Sequence, residues 1–473
     1  MSLGTQESEE QGEFWTPTAK LARGPSSPFY AKLNEVLREE QFDGYVEERC
    51  GGYYAEKLGR PGIPPGVYFR MLLVGYFERI PSDRGIAWRC ADSLSLRRFL
   101  GYRLSEETPD HSSLCRIRQR LPLEVHEEVF GWVLNVLGRR GLIDGKTLGV
   151  DATTLEANAA LRSLVRRDTG EGYEDYLRSL AKESGIEDPT RSDMAKVDRK
   201  RPKKGSNDEW KNPHDPDSHI TKMKSGKTDM GHKLEQAVDL GGEGAVLAVS
   251  LHGGTHGDTL SLPETLERAQ EQLEALGCDP EAAKKLHDRP GSEVVADKGY
   301  YSNGVVRDLE DEGRRTYISE REHGRRKWKG KGREQEAVYA NRRRVRGERG
   351  KRLLRMRGEL LERPFEHYLD AGGMRRTYLR GHGNIMKRLL VHVAGFNLGL
   401  VMRRVLGYGT PRQYAEAVSA GISALLGLAS RLWAREFRFG RISAPSRASC
   451  PQVSAPRLTA SWRAPRALCS TAC

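Results

Sequence analysis

The chain has 473 residues, with 78 Lys+Arg against 65 Asp+Glu and a formal net charge of +13. That length exceeds what one hydrophobic core usually serves, so two or three domains are expected, and the charge points to a polyanionic partner. Seven cysteines, at positions 50, 90, 115, 278, 450, 469 and 473, form no CxxC pair and no short-spaced framework, which argues against a disulfide-stapled secreted scaffold. The start, MSLGTQESEEQGEF, has no apolar leader core. The longest greasy stretch, LLVHVAGFNLGLVM from Leu389, is short and carries His392 and Asn397. A soluble cytoplasmic protein, associated with the nucleoid and not with a membrane, is expected.

Residues 1–27 are polar and rich in Gly, Ser and Pro, and are expected to be unstructured. From 28 to 140 the pattern is helical. Pro64 and Pro65 open PPGVYFRMLLVGYFERI, and Ser82 with Asp83 precedes RGIAWRCADSLSLRRFLG. In TPDHSSLCRIRQRL, Thr108 or Asp110 caps a helix that turns Leu114, Ile117 and Leu121 inward and leaves Arg116, Arg118 and Arg120 outside. Short helices with one basic face suit a helix-turn-helix DNA reader, and an ordinary helical bundle suits the pattern equally.

From 146 the period becomes strand-like. TLGVDATTL, KLEQAVDL (233–240) and AVLAVSLHGG (245–254) predict three strands, the last two joined by a hairpin at Gly241, Gly242 and Gly244. A helix over about 260–277 precedes the strand EVVADKGY, and NGVVRDLEDEG predicts a short helix before the strand TYIS. Asp258 is expected to cap the long helix and His256 to be a loop residue. The whole is a mixed α/β layer domain. Between the first two strands, about 160–230, lies a polar insertion carrying RKRPKKGSNDEWKNPHDPDSH, a stretch with hardly an aliphatic residue, and it is expected as a surface lobe or mobile loop without its own core. Its His214 and His219 have no partners at zinc-ligand spacing. After 408 the pattern weakens. From Arg441 to Cys473 there are five Arg but no Lys, Asp, Glu or Gly, a break that suggests a frame-shifted or otherwise non-native tail.

Three features carry chemistry. Residues 321–357 hold 16 basic and 4 acidic side chains, a local +12, including the run Arg342, Arg343 and Arg344. Each phosphate that such a segment neutralises on duplex DNA contributes about −0.9 to the slope of log affinity against log salt. Asp151 and Asp297 close the apolar runs LGV and VVA of central strands, and Glu362 follows the basic stretch in LLERPFEHYLD. Carboxylates at the end of a sheet can hold Mg²⁺ or Mn²⁺, and a pair of such ions about 3.5–4 Å apart clamps the attacking and leaving oxygens of a phosphodiester. On a continuous helix Glu359, Glu362 and Glu366 share one stripe, so spacing leaves the third acid open among them, and Pro364 suggests a helix beginning near it.

In this order the segments resemble a known family. GRPGIPPGVYFRMLL, RGIAWRCADSLSLRRFLG and TPDHSSLCRIRQRL resemble the N-terminal domain of bacterial insertion-sequence transposases of the DDE type, and GVDATTLEAN, ITKMKSGKTDMGHKLEQAVDL and ADKGYYSN resemble the stretches bearing their first two acids. The resemblance runs from about 28 to 407. It implies an all-helical DNA-binding and dimerisation domain over 28–140, then a ribonuclease-H-like mixed sheet flanked by helices over 141–407. It also implies Asp151, Asp297 and Glu362 as catalytic acids and metal ligands, the last from an E-x2-F pattern filled by Glu362 and Phe365.

Two Mg²⁺ or Mn²⁺ ions per active site are implied, together with binding of terminal inverted repeats, strand transfer into target DNA and a homodimer on paired ends. The family also shows Tyr and Arg before this Glu and Lys seven residues after it, where this chain has Gly358 four before and Leu369 seven after. Auxiliary phosphate contacts are therefore expected from Lys298, Arg355 and Arg357. RTYLRGHGNIMKRLLVHVAGFNLGL resembles the family's closing helix, with a packing stripe of Leu389, Leu390, Val393, Phe396 and Leu400 and with Arg380 and Lys387 available to phosphate. Two other readings are an end-binding relic or repressor that no longer cuts, and a ribonuclease-H-like nuclease acting on branched or hybrid nucleic acid.

Overall fold

The computed structural model describes residues 27–55, 62–200, 206–223, 225–321 and 326–439. The expectations for residues 1–26 and for the tail beyond Arg441 lie outside these. The described residues up to Glu416 form one compact unit, and a second begins at Ala417.

The helical region contains α1 (Pro28–Glu39), α2 (Phe42–Cys50), α3 (Pro65–Phe77), α4 (Asp83–Asp92), α5 (Leu94–Leu100), α6 (His111–Arg120) and α7 (Leu123–Arg139). Their starts follow local chemistry. Pro65 stands in the first turn of α3, where its missing N–H is not needed. Ser82 accepts from Gly85 N at the head of α4, Ser93 from Leu96 N at α5, and Asp110, not Thr108, from Ser113 N at α6.

One expectation fails here. Leu114, Ile117 and Leu121 do point inward, but Arg118 is buried as well, only 6 % exposed. It lies beside Ile117 on the packed face, so its stem is covered and its guanidinium has to find an acid. Arg118 Nη1 donates to Asp83 Oδ2 at 2.7 Å, and the other oxygen of Asp83 accepts from Arg388 Nη1 at 3.2 Å. Arg388 in turn donates through Nε to His392 Nε2 at 2.9 Å.

The mixed layer follows, with β1 (Thr147–Glu156), β2 (Val165–Arg166), α8 (Tyr173–Glu183), α9 (Arg191–Lys200), β3 (Trp210–Lys211), β4 (His219–Lys222), β5 (Thr228–Asp239), β6 (Val246–Gly253), α10 (Asp258–Cys278), α11 (Pro280–Ala283), β7 (Glu293–Ala296), α12 (Asn303–Asp311) and β8 (Arg315–Ile318). Then come α13 (Gly332–Arg346), α14 (Glu348–Phe365), a π-helical segment Glu366–Ala371, α15 (His382–Leu406) and α16 (Pro411–Phe439). β5 pairs antiparallel with β1 on one side and with β6 and β4, placed end to end, on the other. β1 pairs parallel with β7, and β7 parallel with β8. Side chains alternate between the faces of a strand. Neighbouring residues of β5 therefore record the two layers: Glu235 meets Ser261 and Thr265 of α10, whereas Gln236 meets Leu361 of α14.

Four other segments differ from expectation. α15 is buried nearly all round from Ile385 to Met402, not along one stripe, and joins α1, α3 and α7 in a single hydrophobic cluster. The insertion does build a small core: Trp210 is buried with Leu164 against Ala157 and Met230, and Tyr173 and Tyr176 meet its ring edge-on. Its core is centred on aromatic side chains with a few aliphatic ones, Leu161, Leu164 and Ile220, scattered along the segment. Pro364 does not begin a helix; it sits in the last turn of α14. Beyond 408, where the pattern weakens, Pro411–Phe439 is helical, in keeping with its Ala- and Leu-rich composition.

Asp83 faces two buried guanidiniums, so replacing it strands both. Asp83→Ala is expected to lower unfolding free energy by about 3–5 kcal/mol in urea denaturation of the full chain, and a loss under about 1 kcal/mol would contradict the network's role.

Candidate active site

The parallel register of β1 and β7 ends on Val150 opposite Ala296. Asp151 and Asp297 come next, on strands about 4.8 Å apart: β7 ends just before Asp297, whereas β1 continues past Asp151 to Glu156, still paired with β5. Asp151 is partly exposed and Asp297 about half exposed. Each carboxylate is steadied by its own chain: Asp151 Oδ1 accepts from Ala152 N at 2.9 Å and Asp297 Oδ1 from Lys298 N at 2.7 Å. Sequence reasoning expected both at one sheet edge, and the strand pairing brings them together.

Glu362 lies on exposed surface of α14, the helix that crosses this face. Arg357 Nη2, on the same helix, stands 3.8 Å from Asp297 Oδ1. One turn later, Leu361 O accepts from Gln236 Nε2 at 2.7 Å. Gln236 is the cross-strand partner of Asp151, so α14 runs from beside the second aspartate to beside the first. The helix is brought to the pair, but among the described residues no three His, Cys, Asp or Glu side chains gather closely enough to hold a metal ion. Glu359 and Glu366 are exposed too.

Several polar residues around the aspartates escaped sequence reasoning. Gln236 Oε1 accepts from Tyr368 Oη at 2.8 Å, and both residues are fully buried. Burial pushes the Tyr368 phenol well above its usual pKa; Arg375 pulls it down and Asp151 raises it, so the ring keeps its proton and donates. Arg375 donates to Thr153 Oγ1 at 2.9 Å and grips Asp370 with two further bonds. The signal available in the sequence was the pair Glu235–Gln236, polar residues between the apolar Leu234 and Ala237–Val238 of a central strand.

On the opposite face, Glu235 accepts from Tyr300 Oη, Ser261 Oγ and Thr265 Oγ1 at 2.8, 2.6 and 2.5 Å. Asp258 is not the cap of α10. Gly257 takes that position, and Asp258 Oδ1 pairs with Lys233 Nζ at 2.8 Å. His256 lies in the loop, stacked on His252.

The basic residues separate into two groups. Arg342 binds Glu320 through two nitrogens, Arg344 reaches Glu310 and Thr316 O, and Lys387 donates to Arg118 O at 3.0 Å, its pKa lowered by burial. Arg349 likewise closes on buried Glu293. These contacts fasten α13, α14 and α15 to their neighbours. Lys298, Arg343, Arg355 and Arg380 are exposed, with Arg380 Nε 3.3 Å from Asn158 O.

The division is measurable in thermal or chemical unfolding. Arg344→Ala should cost about 1.5–3 kcal/mol, as loss of charged hydrogen bonds does, whereas Arg343→Ala should stay within about 0.5 kcal/mol of the parent. Equal effects would contradict it.

Comparison with known proteins adds one finding. Residues 20–120, which take in α1 to α6, match the family model of a transposase domain (DUF772). No curated protein matches the chain. The match supports a transposase family for this chain, and with it DNA as the molecule handled.

Proposed function

We propose that the chain is a DDE transposase of a bacterial insertion sequence, binding terminal inverted repeats, cleaving DNA at the element's ends and joining them to target DNA. The observation that carries this reading is the adjacency of Asp151 and Asp297 on parallel central strands. The strand order supports it further: three antiparallel strands continue on the other side of β1 into two parallel ones reached through helices, as a ribonuclease-H-like sheet requires. The transposase-domain match lies N-terminal to this sheet.

The donor set is all carboxylate oxygen, which suits a hard divalent cation. Asp151 and Asp297 would hold Mg²⁺ or Mn²⁺, two ions per site, with Glu362 completing the set from α14. Bound there, such a cation supplies charge neutralisation at a phosphodiester and a lowered pKa for an attacking water. The chain's own part is positioning: Lys298 beside Asp297, with Arg343 and Arg355, offers exposed cations to the DNA backbone. Work on paired ends calls for at least a homodimer.

The exposure of Glu362 away from a three-acid cluster favours a second reading, an end-binding protein that does not cut. One experiment separates them. With duplexes carrying the DNA that flanks the reading frame, and Mg²⁺, the parent chain should nick. Asp151→Asn and Asp297→Asn should each bind as the parent does while cleavage falls on the order of 100-fold or more. Binding without nicking by the parent would favour the non-cutting reading, and full cleavage by either variant would exclude the aspartates.

The basic residues give an independent check. Arg343→Ala and Arg355→Ala should each flatten the slope of log affinity against log salt by about 0.9. Slopes unchanged in both would remove the α13–α14 surface from the DNA path.

A further inference from the structure

We propose that Gln236 and Tyr368 are positioning residues that fix the backbone from which Glu362 would reach toward the Asp151–Asp297 pair. The inference rests on the reading of Glu362 as the third acid and names what aims it.

Gln236 is 0 % exposed in the middle of β5, opposite Asp151 and on the same face of the sheet. A buried primary amide needs partners at both ends, and both partners of this one belong to the segment that carries the glutamate. The amide NH₂ donates to Leu361 O, the residue immediately before Glu362, and the amide oxygen accepts from Tyr368 Oη, six residues after it. The orientation is forced, because a carbonyl can only accept and the protonated phenol here donates. Reversing the amide would set oxygen against oxygen at Leu361.

The helix has reason to need such a fastening. Pro364, two residues past Glu362, has no N–H to give Leu360 O. From Glu366 the turn widens to a π-helix, a form found often at functional sites. Regular helical bonding is thus interrupted just where the acid has to be aimed. Arg357 near Asp297 and Gln236 beside Asp151 reference the helix to both strands. With the Leu361 carbonyl fixed, Glu362 starts about 1.5 Å further along the axis. An error of about 1 Å at such a group costs a large factor in function.

The test uses the full chain and Mn²⁺ alone, with free ion measured by electron paramagnetic resonance well below the unfolding temperature and folding checked by circular dichroism. The parent should bind Mn²⁺, and Asp151→Asn should lose it. Tyr368→Phe and Gln236→Ala should each weaken binding about 10-fold or more, as loss of a partner behind a metal ligand does. In a Glu362→Gln background Tyr368→Phe should add nothing, because it acts through that carboxylate.

Should Tyr368→Phe not fold, Gln236→Ala serves the same comparison. Parent-like affinity in the variants, alongside a loss in Glu362→Gln, would overturn the positioning role and leave the acids in place. An equal loss with and without Glu362 would overturn it too, showing a merely structural tether. A parent that binds no Mn²⁺ through Asp151 would bring down the active-site reading, and this inference with it.

Discussion

The parallel pairing of β1 with β7 is the constraint on which the candidate site depends. Both strands are buried on two faces, with Leu148, Val150, Val294 and Ala296 covered on one and Thr147 and Val295 on the other. A slip of one residue would turn every side chain of a strand to the opposite face and drive Asp151 or Asp297 into apolar packing. The register that satisfies the core is also the register that sets the two carboxylates side by side where the pairing of β1 with β7 ends. No residue of the site has to be held against its own packing for this to happen.

Everything around that pair is fastened from a distance. Asp83 joins α4 to Arg118 of α6 and to Arg388 of α15. Asn397 of α15 exchanges two hydrogen bonds with the backbone of Val246 in β6. Asp215 of the insertion accepts from His232 of β5 and from Gly381 N, just before α15, while Asp217 accepts from His382 N. α15 is therefore the element through which the helical region with its transposase-domain match, the sheet and the insertion share one body. It lies next in sequence after the segment that carries Glu362, so that segment hangs between two references, the sheet on one side and α15 beyond it.

Much of this was legible in the residues. Asp151 and Asp297 announced themselves because short apolar runs end on them: Asp297 stands just past the end of β7, and Asp151 opens the less buried half of β1. Ser82 and Asp110 announced helix starts because an unpaired N–H needs an oxygen nearby. What stayed hidden depends on contacts distant in sequence. Arg118 reads as a surface base until Asp83 and Arg388 are brought to it. Arg342 and Arg344 count toward a +12 segment, yet their charge is answered by Glu320 and Glu310. A charge tally records how many cations a segment carries but not which of them are already spent. Trp210 and its two tyrosines made a core from a stretch that looked too polar to hold one. Gln236 alone gave a local hint, a polar residue where an inward-facing strand has little room for one, and its meaning came only with Leu361 and Tyr368.

The central question is whether the two aspartates share a divalent cation in the presence of DNA. A crystal of the full chain with duplex DNA, grown with Mn²⁺ and measured at the manganese edge, addresses this directly. The account predicts anomalous density between the carboxylates of Asp151 and Asp297, with a phosphate oxygen beside it. Ordered DNA on the protein with no density at that position, or density held by other residues, would contradict it.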